Sequence, residues 1–301
     1  MTKNKPILIN LFLLMLLSAC GNKQHNFDAT GSFETAEVIV SSEAAGRILS
    51  FDIIEGMELS FNEKVGVIDS VQLYLSKLQL MKNISSIESN KPNVSAQVAA
   101  TREQLLKQQT ERTRIENLLR SEAATQKQLD DINSVITVLE RQLTAQLSTL
   151  NNSVSSLNAQ SSALEIQIAQ IEDRLSKCII QSPIAGTVLA KYVEAGELAV
   201  VGKPLFKVAD MKHVFLRSYF TSGQLAHIKL GQAVTVYADF GGENRREYRG
   251  SITWISDKSE FTPKSIQTKK DRENLVYAVK ISVENDGYIK IGMYGEVEID
   301  N

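Results

Sequence analysis

Among residues able to carry chemistry, the chain has two cysteines, Cys20 and Cys178, and three histidines, His25, His213 and His227. None stands in a C-x-x-C, H-x-x-x-H or H-E-x-x-H spacing, so the paired thiolates or imidazoles of a zinc, haem or redox site are missing from the pattern. No nucleophile with a matching base, acidic dyad or glycine-rich phosphate loop can be picked out, which argues against an enzyme and against a cofactor. Lys and Arg number 33 against 35 Asp and Glu, a net charge of -2, and this balance gives no electrostatic reason to bind nucleic acid. What remains is covalent modification of a cysteine and recognition by surface side chains.

The cysteine is Cys20. Lys3 and Lys5 precede an apolar run from Ile7 to Leu17 broken only by Asn10, the charged and apolar regions of an export signal, and one too short to span a bilayer comfortably. The run ends in Leu17-Ser18-Ala19-Cys20-Gly21, which resembles the bacterial lipobox, where small residues admit the peptidase and the thiol receives a diacylglyceryl group. Residues 1–19 are then the signal peptide and 20–33 a polar tether. The mature protein is expected to be exported and lipid-anchored. The other reading is a plain signal peptide, with Cys20 free to pair with Cys178.

The elements that must position any recognition surface follow from two gaps. No Phe, Tyr or Trp lies between Tyr74 and Tyr192, and no Gly between Gly66 and Gly186. Compact cores need aromatic volume and glycine turns, whereas a long helix needs neither. On either side of the gap the sequence repeats at an offset of 140 residues: Ala45-Gly46-Arg47-Ile48-Leu49 aligns with Ala185-Gly186-Thr187-Val188-Leu189, Gly56 with Gly196, and Asn62 with Gly202. Asn tolerates the left-handed conformation that Gly adopts. The two copies, 34–69 and 178–210, resemble the halves of a biotinyl/lipoyl-type domain. Such a carrier would bear a modified lysine where its halves join. Here the joint at Asp69-Ser70 opens into more than a hundred helical residues, and Met211-Lys212, superficially like a biotinylation pair, lies beyond the second half. No biotin or lipoate is expected.

From residue 70 to 177 the apolar residues keep helical spacing. In the returning arm Leu129, Ile132, Ile136, Leu139, Leu143, Leu150, Val154, Leu157, Leu164, Ile168, Ile171 and Leu175 form a heptad seam. The outgoing arm is weaker (Leu78, Met81, Ile84, Ile87, Val94, Val98, Leu105, Ile115, Leu118), and Pro92 should break or kink it. Two arms of roughly 50 residues make a hairpin on the order of 75 Å long, with its tip near 118–126. A spacer or a dimerisation coil fits the heptads alone. Arg114-Ile115-Glu116-Asn117-Leu118, followed by Thr125, resembles the R-x3-L-x6-S tip motif of adaptors that dock onto TolC-like outer-membrane channels, with Thr for Ser. The resemblance gives Arg114, Leu118 and Thr125 a channel-docking role. Read without it, they are a solvated helix charge, a seam residue and a helix N-cap. Between Arg141 and Glu165 the arm carries no charge, which fits side-by-side packing of copies or a merely hydrated helix.

From 211 to 301, period-two runs such as Val214 to Phe220, Ala233 to Tyr237 and Tyr277 to Val283, punctuated by Gly and Asn turns, predict a small β-barrel. Glu260-Phe261-Thr262-Pro263-Lys264, Gln267 to Tyr277, and Ile291-Gly292-Met293-Tyr294-Gly295-Glu296-Val297 are similar to segments of HlyD-family adaptors, the membrane fusion proteins associated with ABC exporters. The fold expected is an elongated α+β multidomain one: a lipoyl-like β domain split by a helical hairpin, then a barrel. The resemblance implies a periplasmic, lipid-anchored adaptor, at the inner membrane by family, linking an ABC transporter at one end to a TolC-like outer-membrane channel at the other for efflux or secretion. It implies a homo-oligomer of six copies and a covalent lipid on Cys20, with no metal. An adaptor for a proton-driven pump and a structural coiled-coil lipoprotein are the alternative readings.

Overall fold

The computed structural model describes residues 27–241, 245–260 and 275–300. Cys20 and its signal, His25, and the segment 261–274 lie outside the described residues. Within them the chain forms fourteen strands and four helices. The strands are β1 (Ala29–Glu34), β2 (Glu37–Ser41), β3 (Gly46–Phe51), β4 (Glu58–Leu59) and β5 (Lys64–Ile68) before the helices, and β6 (Ile179–Gln181), β7 (Gly186–Lys191), β8 (Leu198–Ala199) and β9 (Pro204–Ala209) after them. Between stand α1 (Val71–Ser89), α2 (Val94–Arg120) and α3 (Gln126–Lys177). The rest comprises β10 (His213–Thr221), the single turn α4 (Ser222–Leu225), β11 (Ala233–Asp239), β12 (Arg245–Glu260), β13 (Val276–Glu284) and β14 (Tyr294–Ile299).

The two repeats do not fold side by side; they interleave. One four-stranded sheet has the order β2-β9-β7-β4 and the other β6-β5-β3-β8, so each contains strands of both copies. The repeat offset reappears in the pairing itself. Gly46 opposes Ala199 and Arg47 opposes Leu198, while Gly186 opposes Leu59 and Thr187 opposes Glu58. The Gly202 N–H donates to Ser42 O and the Asn62 N–H to Ser182 O (2.8 and 2.9 Å). Asn62 takes φ 61° and Gly202 φ 86°, the left-handed turn that only Gly or Asn takes at little cost. The sandwich therefore has an internal two-fold axis. Its core is Ile48, Phe51, Ile68, Ile180, Val188, Leu205, Phe206 and Val208, with the Phe51 and Phe206 rings tilted at 6.0 Å.

The barrel closes in the order β1-β10-β13-β12-β11-β14. Its first strand corrects the tether and the barrel boundary expected from the sequence: residues 29–34 are a barrel strand, paired to both β10 and β14. A six-residue strand with only Ala29 and Phe33 buried has too little alternation to stand out from a polar segment. It is nonetheless fixed. A Cβ on Gly31 would lie 2.1 Å from Arg217 O, and Phe33 fills the barrel core with Leu216, Val236, Ile281 and Val297, a burial worth about 2–3 kcal/mol. Two chain segments cross between barrel and sandwich, and the Thr35 hydroxyl stitches them by donating to Asp210 O (2.8 Å).

The hairpin is a rod of two helical arms, α1 with α2 going out and α3 returning. Its outgoing arm stops at Ser89 and restarts at Val94, because Pro92 has no N–H and disfavours helix at the residue before it; Asn93 then caps α2 by accepting from the Ala96 N–H (3.1 Å). The returning arm α3 runs unbroken for 52 residues, about 78 Å at about 1.5 Å per residue. Its buried and half-buried residues are the twelve of the heptad seam, joined by Leu147 and by the polar Gln146 and Ser161. These two polar members meet polar partners: the Thr101 hydroxyl donates to Gln146 Oε1 (3.0 Å) and Ser161 to Glu88 Oε1 (3.4 Å). In α1 the seam is Leu73, Lys77, Leu80, Ile84 and Ile87, with Lys77 paired to Glu172 (2.6 Å). Leu78 and Met81, expected on the seam, stand one residue off it and are exposed.

Candidate functional site

The tip is built by two capping motifs that face each other. At the end of α2 the Glu122 N–H donates to Leu119 O (3.0 Å) and the Ala123 N–H to Leu118 O (2.8 Å), the paired bonds of a Schellman termination. The left-handed position in that motif is Glu122, at φ 59°, where Gly is the usual occupant. At the start of α3 Thr125 is the N-cap, its hydroxyl accepting from the Gln128 N–H (3.3 Å) while Gln128 Oε1 accepts from the Thr125 N–H (2.8 Å). This reciprocal pair holds the helix entry. Gln128 was not among the residues singled out above, although the T-x-x-Q spacing carries the signal.

Arg114 and Leu118 are one helical turn apart on α2 and line the same shallow surface with Thr110, Thr113 and Asn117. The Arg114 side chain is 70% exposed and its one ion pair among the described residues, to Glu111, is loose at 3.6 Å. Such a pair contributes little, so the guanidinium is free to meet a carboxylate or carbonyl of a partner. Leu118 is half-buried and Thr125 exposed. The three residues thus share the end of the rod, with a cation and an apolar side chain on one helix and a capping hydroxyl at the start of the next.

The other singled-out residues lie far along the chain from the tip. Cys178 is a free thiol buried at the foot of α3, and burial, with the Asp69 charge second, raises its pKa, which keeps it protonated and unreactive. Met211 and Lys212 sit in the crossing between sandwich and barrel, where the Lys212 N–H donates to Asp210 Oδ1 (2.9 Å). Nearby, His213 Nδ1 meets Asp210 Oδ2 at 2.7 Å. Burial pushes the Asp210 pKa up, but hydrogen bonds from the His213 ring and the backbone N–H groups of Lys212 and His213 outweigh it and hold the carboxyl below its usual range. Among the described residues no group of three His, Cys, Asp or Glu side chains is placed to hold a metal, and no helix is long and apolar enough to cross a membrane.

No family model matches the chain. A UPF0194 membrane protein of Yersinia pseudotuberculosis serotype O:3 is 24% identical over 324 aligned positions, covering 96% of this chain and 96% of that protein; a counterpart in Yersinia enterocolitica serotype O:8 has the same identity and coverage. Among solved structures, MacA from Actinobacillus actinomycetemcomitans matches with a TM-score of 0.56 at 20% identity, over 90% of this chain and 76% of MacA. The membrane fusion protein Spr0693 from Streptococcus pneumoniae R6 matches with a TM-score of 0.53 at 13% identity, over 90% of this chain and 97% of Spr0693. The long helical hairpin, the β-rich domains and the six-stranded barrel are the fold of membrane fusion proteins.

Proposed function

We propose that the chain is a periplasmic adaptor that links an inner-membrane ABC transporter to a TolC-like outer-membrane channel for efflux or secretion. The observation that carries this reading is the hairpin tip: Arg114 and Leu118 are presented together at the end of a rod about 78 Å long, with no strong partner of their own. The fold likeness to membrane fusion proteins supports it. In this reading the interleaved sandwich is the lipoyl-like domain, six copies pack into a ring, and a diacylglyceryl group on Cys20 holds the base at the inner membrane. A single two-armed rod cannot enclose a conduit, so the work requires self-association. Adaptor action is mechanical, and energy would come from ATP bound by the transporter.

The test is a photo-crosslinker at Leu118 in the full-length protein, followed by gentle solubilisation, pull-down and mass spectrometry. Recovery of an ABC transporter, with an outer-membrane channel crosslinked at the tip, is expected. Recovery of a proton-driven pump instead would change the transporter class and leave the docking role. Recovery of the protein alone would overturn the adaptor reading in favour of a structural coiled-coil lipoprotein.

A further inference from the structure

The seam leaves a second apolar stripe on α1 without a partner among the described residues. Val71, Tyr74, Leu75, Leu78 and Met81 recur at helical spacing and are 37–56% exposed, while the inward face uses Leu73, Lys77 and Leu80. At the foot of the rod this stripe runs into a cleft of about 750 Å³ between sandwich and α1, whose apolar walls include Val71, Leu73 and Val201. Three cations stand around the same cleft: Arg47, Arg174 and Lys177. Lys177 is held by Asp173 at 2.8 Å. Arg47 and Arg174 have no ion pair or side-chain hydrogen bond among the described residues. Of the two acids in the cleft, Asp69 accepts from the Val71 N–H at 3.0 Å and Glu43 acts on Lys177. Two guanidinium groups are left uncommitted at one end of an apolar track.

We propose that the cleft and stripe bind a single-chain amphipathic anion, its head group on Arg47 and Arg174 and its alkyl chain along Val71, Leu75 and Leu78. Guanidinium groups match a carboxylate, sulfate or phosphate through paired N–H donors. From Val71 to Met81 the track runs about 15 Å, enough for an alkyl chain of medium length, and covering the track takes apolar surface of both chain and helix out of water. A second copy of the chain would cover the apolar stripe but would also have to bring anions to the two arginines. The site does not depend on what the tip docks to.

The test uses the full-length protein in its native membrane and a dodecanoate bearing a photo-reactive group at its chain end, with labelled peptides mapped by mass spectrometry. Labelling is expected to concentrate on residues 71–81, to be competed by plain dodecanoate, and not by dodecyl maltoside at the same concentration. Arg47→Gln with Arg174→Gln should lower it about ten-fold at an unchanged melting midpoint. If that pair melts early, the single substitutions Arg47→Gln and Arg174→Gln decide, each expected to lower the labelling about three-fold at an unchanged melting midpoint. Labelling spread over every exposed apolar residue, equal competition by the neutral maltoside, or indifference to the charge-removing pair overturns the proposal. Crosslinks joining two copies through 71–81 would assign the stripe to self-association and overturn it too.

Discussion

Thr125 has a role inside the chain whatever it meets outside, and substitution can separate the two. Thr125→Ala removes the cap and should cost about 1 kcal/mol of hairpin stability in chemical denaturation. Thr125→Asp keeps an N-capping oxygen, so its melting point should hold while export falls if the hydroxyl touches the channel. Arg114→Ala should leave stability within about 0.5 kcal/mol, because its ion pair is loose and exposed, yet abolish crosslinking from Leu118 to a channel. If the crosslink persists, Arg114 is only a solvated charge. The cap on Thr125 was legible because N-cap chemistry is local; a docking role for Arg114 came from resemblance, since an exposed arginine on a helix looks the same with or without a partner. Asp210 gives the acid behaviour its sign. Its folded pKa lies below the ordinary 3.8, so its contribution is complete above about pH 5 and drains away as pH falls through 3.8 and below. Asp210→Asn should flatten that part of an acid unfolding titration; an unchanged acid limb would show that the His213 contact does not persist in solution.

Along the rod the two arms differ in how plainly the sequence declared them. The seam of α3 was readable at twelve positions, because they keep one phase along a helix of 52 residues; Leu147, half-buried beside Gln146, was the apolar residue missed. In α1 two apolar stripes overlap, and the inward one contains Lys77 while the outward one contains Leu75, Leu78 and Met81. Hydrophobicity alone therefore favours the wrong phase; the salt bridge to Glu172 that lets Lys77 sit on the seam is a tertiary fact. The test is a pair of truncations. Val98, fully buried, should cost about 2 kcal/mol on Val98→Ala, whereas Leu78→Ala should cost less than about 0.5 kcal/mol. Equal losses by thermal denaturation would put Leu78 back in the seam. The uncharged stretch of α3 also gains a partial account: Gln146 lies within it and pairs with Thr101, and Ser161 is buried against Glu88, though most of its Ser and Asn side chains face solvent.

For the molecule as a whole, the repeat at 140 residues was legible and its interleaving was not, because a periodic sequence specifies equivalent strands without saying whether they pair within a copy or between copies. The barrel's closing strand was missed for the opposite reason, a strand too short and polar to announce itself. Interleaving makes the hairpin dispensable for the sandwich core. The Ile68 N–H donates to Cys178 O at 2.8 Å, so the hairpin leaves and returns at adjacent positions, and replacing residues 71–177 by a tight turn should leave sandwich and barrel folded with a cooperative melt. A molten product would show that the rod props the sheets apart. The same rung has a twin. Val38 opposes Val208 where the chain passes into the barrel, at the offset of the repeat, so rod and barrel are attached through equivalent exits. Asp28 and Val297 are hydrogen-bonded at 2.8 Å across β1 and β14, which places the barrel's first and last strands side by side. A short loop between those strands, with the chain opened at residues 121–125, would give a circular permutant of the described core in which the barrel is the insert and the helices are the two free ends. Which part is frame and which is guest is then a matter of where translation begins.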